Sequence, residues 1–357
     1  MVGVGWVGSI HSVHGLQGDA RNGDRDRNEK ECTMMNFSTA QSVVQRLQDR
    51  LRASIVGRDE VIDLLIVALL ADGHVLLEDY PGSGKTTLAK ALGESIVSTN
   101  THLESMRRVQ FTPDLLPSDV TGTTIFDPDA RQFEFRPGPV FTHVLLADEI
   151  NRTSPKVQSS LLEAMAEKQC TIDNQTHSLS ELFFVIATQN PLDLAGTFPL
   201  PTAQLDRFLF KIRMTHISPK DELELLMNFE TVKRGVSVDI PKVSVEELLA
   251  VRSWIQSSIT LAPSIKACLV AFADQTRKHP LTLQGVSTRS LVLAMPALQT
   301  WALVQGREFV APSDVESLST HIFGHRLMMG TSADSMMDVV KECLRGPMET
   351  CARSVYK

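Results

Sequence analysis

His74-Val-Leu-Leu-Glu78 runs without interruption into Asp79-Tyr-Pro-Gly-Ser-Gly-Lys-Thr86, and that into Thr87-Leu-Ala-Lys-Ala-Leu92. The first stretch is an apolar run of strand length, the second a glycine-rich turn, the third a helix former. Strand, glycine-rich turn and helix, in that order, is the context a phosphate-binding loop requires. Gly82 and Gly84 permit backbone angles that aim successive amides at one point. The helix N-terminus adds its dipole. Lys85 brings a positive charge to the terminal phosphates of ATP, and the Thr86 hydroxyl is a ligand for Mg²⁺. Pro81, Gly82, Ser83, Gly84, Lys85, Thr86 and Thr87 are therefore the expected nucleotide cradle. The common pattern GxxxxGK[ST] begins with glycine, and this chain has Asp79 there, so it departs by one position.

Outward from the loop, apolar runs of strand length alternate with helical periodicity. Arg108–Phe111, Val144–Ala147, Phe183–Thr188 and Phe208–Arg213 read as further strands. Val43, Leu47 and Leu51 repeat on one helix face, and Glu60–Leu70 and Lys156–Glu167 also read as helices. Alternation of this kind predicts a parallel sheet covered on both faces. The run Val144-Leu-Leu-Ala147 ends in Asp148 and Glu149. After a phosphate loop in the same pattern, Asp148 is expected to face Mg²⁺ and Glu149 to activate the attacking water. Without that loop, the pair is an ordinary strand-to-loop junction.

Other polar residues carry two readings each. Asn190 stands past the end of a strand, either to touch the γ-phosphate or to cap a turn before Pro191. Arg207, in Asp206-Arg-Phe208, is either a surface ion pair or an arginine finger given to a neighbouring subunit's phosphate. Arg289 opens a helix after Gly285-Val-Ser-Thr288 and is placed to reach the phosphates from a lid. Beyond Pro219 the expected elements are all helices: 221–230, 245–256, 263–278, 288–305 and 311–323.

Bulk properties narrow the function class. The 357 residues carry a net charge of −7, with no basic excess to neutralise nucleic-acid phosphates. The 5 cysteines are scattered and form no CxxC pair, as expected of free thiols in a reducing compartment. No apolar run reaches the ~20 residues a membrane helix needs. A cytoplasmic protein is expected.

These motifs, in this order, resemble the MoxR family of AAA+ ATPases. The likeness extends to Gln110-Phe-Thr-Pro-Asp-Leu-Leu-Pro-Ser-Asp-Val-Thr-Gly122, Phe135-Arg-Pro-Gly-Pro-Val-Phe141, Asp148-Glu-Ile-Asn-Arg152, Leu161-Leu-Glu-Ala-Met165, Ala187-Thr-Gln-Asn-Pro191 and Leu200-Pro-Thr-Ala-Gln-Leu-Asp-Arg-Phe-Leu209. It implies an α/β fold: an AAA+ core with a parallel five-stranded sheet between helices over 37–217, a helical lid over 218–345 and a tail over 346–357. It implies that Asn190 is a first sensor, Arg207 a finger from the next subunit and Arg289 a second sensor. Ile55-Val-Gly57 would lie near the adenine. Hairpins are implied within 126–141 and 169–179, the second turning near Asn174-Gln175. The resemblance further implies ATP and Mg²⁺ as cofactors, a homo-oligomeric, hexameric ring, a protein client, and a von Willebrand A-domain partner in metal insertion or enzyme maturation. The alternative is a nucleotide-gated switch with little turnover. Tyr80 replaces a more usual small apolar residue, which bears on nucleotide preference rather than on binding.

Residues 1–36 match nothing in that family. Of six glycines there, five (Gly3, Gly5, Gly8, Gly15, Gly18) precede a mixed-charge run from Arg21 to Glu31 and the sixth, Gly23, lies within it. Little in the stretch buries surface, so a disordered tail is expected. Met34 and Met35 directly precede the first helical pattern, as an over-extended translation start would leave them. Ordering such a tail costs ~1–2 kcal/mol per residue without compensating contacts. A chain beginning at Met35 is therefore expected to keep full ATPase activity and an unchanged melting temperature. A loss of either would show that the segment is used.

Overall fold

The computed structural model describes residues 35–78, 83–99, 103–191, 196–227, 239–330 and 336–355, all within the unit that begins at Met35. Residues 1–34 of the expected tail, with Cys32, and the loop residues Asp79, Tyr80, Pro81 and Gly82 lie outside the described residues, whereas Asn36 of that expected tail caps the first helix. Only the principal elements are numbered below.

Helix α1 (Phe37–Ser54) starts at Asn36, whose side chain accepts from the Thr39 amide at 2.9 Å. It buries the face carrying Ala40, Val43, Val44, Leu47 and Leu51. Helix α2 (Asp59–Leu70) is buried almost all round. Strand β1 (Val75–Glu78) then leads to α3 (Lys85–Ser95). The remaining strands of the central sheet are β2 (Glu104–Gln110), β3 (Thr142–Asp148), β4 (Phe184–Gln189) and β5 (Phe210–Arg213), with α4 (Pro155–Glu167) between β3 and β4. The order across the sheet is β5-β1-β4-β3-β2, and every pairing is parallel.

Strand alternation divides the core in two. Val75, Leu77, Val144, Leu146, Phe184, Ile186, Phe210 and Ile212 face α1, α2 and α3. Leu76, Leu145, Ala147, Phe183, Val185 and Ala187 face α4. All of β3 is buried, which is why its sequence reads as a continuous apolar run rather than an alternating one. The β2 strand is the exception. It lies at the sheet edge, is half-buried or exposed apart from Val109, and begins at Glu104 rather than at Arg108. Its charged residues hid the strand's full length from hydrophobic patterning.

Two antiparallel hairpins project from the core, Gly122–Asp127 with Gln132–Pro137 and Gln169–Ile172 with Gln175–Ser178. The second turns at Asp173 and Asn174, both with positive φ, one residue earlier than expected. The Phe135 ring stacks on His177 at 3.9 Å and so ties the hairpins together.

Helix α5 (Pro219–Met227) is followed, past the undescribed stretch 228–238, by α6 (Val245–Ser258), α7 (Pro263–Lys278), α8 (Thr288–Val304), α9 (Pro312–Phe323) and α10 (Met336–Val355). This region is not purely helical. Val243–Ser244 pairs with Ile96–Val97, and Thr282–Gln284 pairs with Met328–Met329. Pairs this short leave no periodic signal. The stretch 346–357, expected as a tail, is helical as far as Val355. Helix α10 continues through Gly346 and Pro347 and buries Val339, Val340, Cys343, Leu344 and Cys351. Arg252 on α6 reaches Asp72 at 2.7 Å and the Leu69 carbonyl at 2.7 Å, fastening this region to the end of α2.

His74, at the entrance to β1, is buried. Its Nδ1 accepts from the Val185 amide at 3.1 Å, so Nε2 carries the proton and donates to the Met165 carbonyl at 3.2 Å. Burial pulls its pKa down from 6.5 to about 4. The folded ring stays neutral where the unfolded one is charged. Stability from this group is therefore complete above pH 6.5 and lost as pH falls toward 4, on the order of 3 kcal/mol. Chemical denaturation between pH 7 and 4 is expected to show this loss, and His74→Asn to flatten the slope by about one proton. Identical slopes in the two proteins would refute the assignment.

Candidate nucleotide site

Parallel register brings the ends of β1, β4, β3 and β2 to one edge of the sheet. Glu78 lies level with Gln189, and Gln110 with Asp148. The phosphate loop belongs to this edge. Ser83 and Gly84 close it, and Gly84 has φ +91, an angle that favours glycine, with open space where a side chain would stand. No side chain caps α3. Its first amides thus face outward, as an anion site requires. Lys85 is half-buried at the first helical position, and Thr86 and Thr87 are exposed beside it. The Ser83 hydroxyl is buried with no hydrogen-bond partner among the described residues. An uncapped helix start with an unsatisfied hydroxyl suits a polyphosphate well.

The acids are held more tightly than their sequence suggests. Asp148 is buried, and its Oδ1 accepts from the Thr188 hydroxyl at 2.6 Å. The Thr188 oxygen in turn accepts the Glu149 amide at 2.9 Å. One hydroxyl on β4 thereby fixes the carboxylate of one acid and the backbone of the next. Glu149 itself has φ +57, a strained angle for a residue other than glycine, of order 1 kcal/mol. The Arg108 guanidinium donates to Asp148 Oδ2 at 2.7 Å. The Gln110 amide donates to Glu149 Oε2 at 2.8 Å, and Arg152 Nε lies 3.0 Å from the same oxygen. Beside them, Glu78 accepts from Gln189 at 2.6 Å and pairs with Lys211 at 2.7 Å. Asn190, directly after β4, is buried at this same edge. Asp148 and the Thr86 hydroxyl are hard oxygen donors of the kind Mg²⁺ takes together with nucleotide phosphates. Arg108 engages one of the two Asp148 oxygens and Thr188 the other.

Gly57, with φ +70, borders a cavity of about 180 Å³ shared with Asp59, Glu60, Arg213, His216 and Ser218. Asp221 packs 2.8 Å from where a Cβ at Gly57 would stand, so no other residue fits there. The cavity opens at the end of β5, on the phosphate-loop edge, as a base-binding position would.

Arg207 and Arg289 lie elsewhere. Arg207 precedes β5, so it sits at the edge where strands begin. It donates to the Leu162 carbonyl. Arg289 Nε lies 3.9 Å from Asp206 Oδ2, with its side chain 64% exposed. Both line a cavity of about 130 Å³ with Asp72, Gly73, His74 and Asp206. Arg289 was expected to reach the phosphates from the lid. In its own chain it lies at the end of the sheet where strands begin, on α8 beside Asp206.

Thr188, Arg108 and Gln110 escaped the reading of the sequence. Thr188 had a usable signal, a hydroxyl inside a fully buried strand that has to find a partner. Arg108 and Gln110 had none, because an exposed edge strand tolerates any polar residue.

Fold and site together define a P-loop ATPase core of the AAA+ type, carrying a helical lid. The family described as the ATPase family associated with various cellular activities (AAA) matches residues 74–210, and the AAA lid domain matches 274–343. The chain is 42% identical over 305 residues to the Bacillus subtilis protein named Uncharacterized protein YeaC, covering 84% of this chain and 93% of that one. It is 36% identical over 297 residues to Chaperone MoxR1 of Mycobacterium tuberculosis, covering 80% and 75%. It is 28% identical over 330 residues to Protein MoxR of Methylorubrum extorquens, covering 85% and 93%. The crystal structure of a candidate ATPase from Cytophaga hutchinsonii superposes with a TM-score of 0.78 at 33% identity, covering 87% of this chain and 95% of that one. The chain belongs to the MoxR family of AAA+ ATPases. No helix among the described residues is long and apolar enough to cross a membrane.

Lys85→Ala removes the cation at the start of α3 and is expected to abolish ATP binding in calorimetry. An unchanged affinity would mean the phosphates lie elsewhere.

Proposed function

We propose that this protein hydrolyses ATP at sites shared between subunits of a homo-oligomeric, hexameric ring, and uses the turnover to remodel or mature a protein client. One observation carries this reading: the phosphate loop and acids occupy one edge of the sheet, while Arg207 and Arg289 occupy the other. A single chain cannot close both around one nucleotide. A head-to-tail ring does so at every contact.

In this reading Lys85 and the amides of residues 83–87 hold the β- and γ-phosphates, and the Gly57 cavity receives the base. Thr86 and Asp148 hold Mg²⁺, which neutralises charge between those phosphates when bound. Glu149 takes a proton from the attacking water, and Asn190 orients that water. Arg207 and Arg289 of the neighbouring chain face the charge that develops on the transferred phosphoryl group. Thr188 keeps Asp148 and Glu149 in register. The client role follows the name of the relative Chaperone MoxR1. A von Willebrand A-domain protein is the proposed partner, a metallated or cofactor-bearing complex the proposed client, and the cytoplasm the proposed compartment. A second reading, a nucleotide-gated switch with little turnover, draws on Glu149, which Gln110 and Arg152 hold at rest.

Arg207→Ala and Arg289→Ala are each expected to spare ATP affinity and depress turnover. Mixing either with Lys85→Ala protein is expected to restore phosphate release, because the Lys85→Ala neighbour supplies intact arginines to a subunit that still binds ATP. Glu149→Gln is expected to lower turnover by about two orders of magnitude with binding retained. No rescue on mixing would sink the shared site. A wild type that barely exceeds Glu149→Gln would select the switch.

A further inference from the structure

The Arg207 loop is held by a residue outside the nucleotide motifs. Arg326 lies in the Gly324–Arg326 turn that continues α9, and it is buried. Its Nε donates to Asp206 Oδ1 at 2.8 Å. Its Nη2 donates to the Phe208 carbonyl at 2.8 Å and to the Asp206 carbonyl at 3.3 Å. Its Nη1 donates to the Leu209 carbonyl at 3.3 Å and to the Ile322 carbonyl of its own helix. All three guanidinium nitrogens are thus spent on residues 206–209, the loop that contains Arg207. The adjacent His325 donates Nε2–H to the Phe208 carbonyl at 3.0 Å. From a second lid helix, the Ser290 hydroxyl donates to Asp206 Oδ1 at 3.3 Å, one residue along from Arg289. Asp206 is the node on which two lid helices and the finger loop converge.

The geometry points to Arg326 as the positioning residue for Arg207. Through Asp206 and the 206–209 carbonyls, it makes the lid and the finger loop of one chain a single rigid body, so that the lid's orientation sets where Arg207 and Arg289 meet the next subunit's nucleotide. This deepens the shared-site reading above and rests on it. The fork matters more than the charge. A guanidinium reaches several acceptors in fixed directions, whereas an ammonium is a point charge on a flexible stem. A long arginine contributes to phosphoryl transfer only if its base is held still before the reaction, because displacement by about 1 Å is enough to cost about a hundredfold. The competing account is that Arg326 merely satisfies buried carbonyls. That account predicts a lower melting temperature and no recovery on mixing.

The test uses the full-length chain with Arg326→Lys. ATP affinity by calorimetry and assembly by light scattering are expected to match wild type, while kcat falls about 10- to 100-fold. Mixing with excess Lys85→Ala protein is expected to restore turnover at the Arg326→Lys sites, because the neighbour brings an undisturbed finger loop. A near-wild-type kcat, or a loss that mixing does not repair, overturns the proposal. Arg207→Ala mixed with Lys85→Ala runs alongside. If that control is not rescued, the shared-site reading has failed. If it is rescued and Arg326→Lys is not, this inference alone has failed. Should Arg326→Lys not fold, Asp206→Asn keeps the shape of the node, removes its charge and is held to the same outcomes.

Discussion

A sheet whose strands all run the same way has two unlike edges, and the rest of this molecule depends on that asymmetry. Each strand delivers its last residue, and the loop beyond, to one side. Here that side collects the phosphate loop after β1, the acids at the end of β3, and Gln189 with Asn190 at the end of β4. Burial on both faces locks the register, since a slip of one residue would send every apolar side chain to the wrong layer. Backbone pairing and hydrophobic alternation thereby place polar groups from distant parts of the chain side by side. The price is that nothing at the strand-start edge can reach them.

Within the acid edge, position is fixed by satisfied polar groups. A buried carboxylate without partners is strongly disfavoured. Asp148 meets that constraint through Thr188 on one side and Arg108 on the other. Thr188 also takes the Glu149 amide, and this helps hold Glu149 at a backbone angle it would not choose alone. That turn sends the second carboxylate away from the first. Two adjacent acids on a straight strand would point to opposite faces of the sheet. The kink lets both serve the same edge.

Much of the fold was legible because burial leaves a record in sequence. The runs 74–78, 144–147 and 183–188 are apolar because both faces of the sheet are covered, and the phosphate loop is legible because anion binding demands glycine and lysine in order. Legibility ends where burial ends. The β2 strand lies at an edge and alternates with charges, so its first half was missed. Helix α10 carries Gly346 and Pro347, residues that ordinarily break helices, and its burial against α7 outweighs that local preference. The role of Thr188 depends on which strands are neighbours, and the order β5-β1-β4-β3-β2 is not written in any local pattern. Which end of the sheet Arg289 serves was not legible for a related reason. Helical periodicity in 288–304 shows that a helix exists, but the side of the core on which it packs is set by long-range contacts such as Asp206 with Ser290.

The two edges are also joined mechanically within one chain. The β5 strand begins at the finger loop and ends beside the Gly57 cavity, and β1 begins at His74 and ends at the phosphate loop. Leu209 and Phe210 bond to the His74 carbonyl, so the finger loop is tied to the base of the strand that leads to the phosphate loop. A strand in a close-packed sheet resists displacement, so the frame holds its two ends in fixed relation. The frame therefore keeps the chain's own nucleotide edge in place, and under the proposed shared site a shift of the Asp206 loop is felt at the neighbouring subunit's nucleotide, through Arg207 and Arg289.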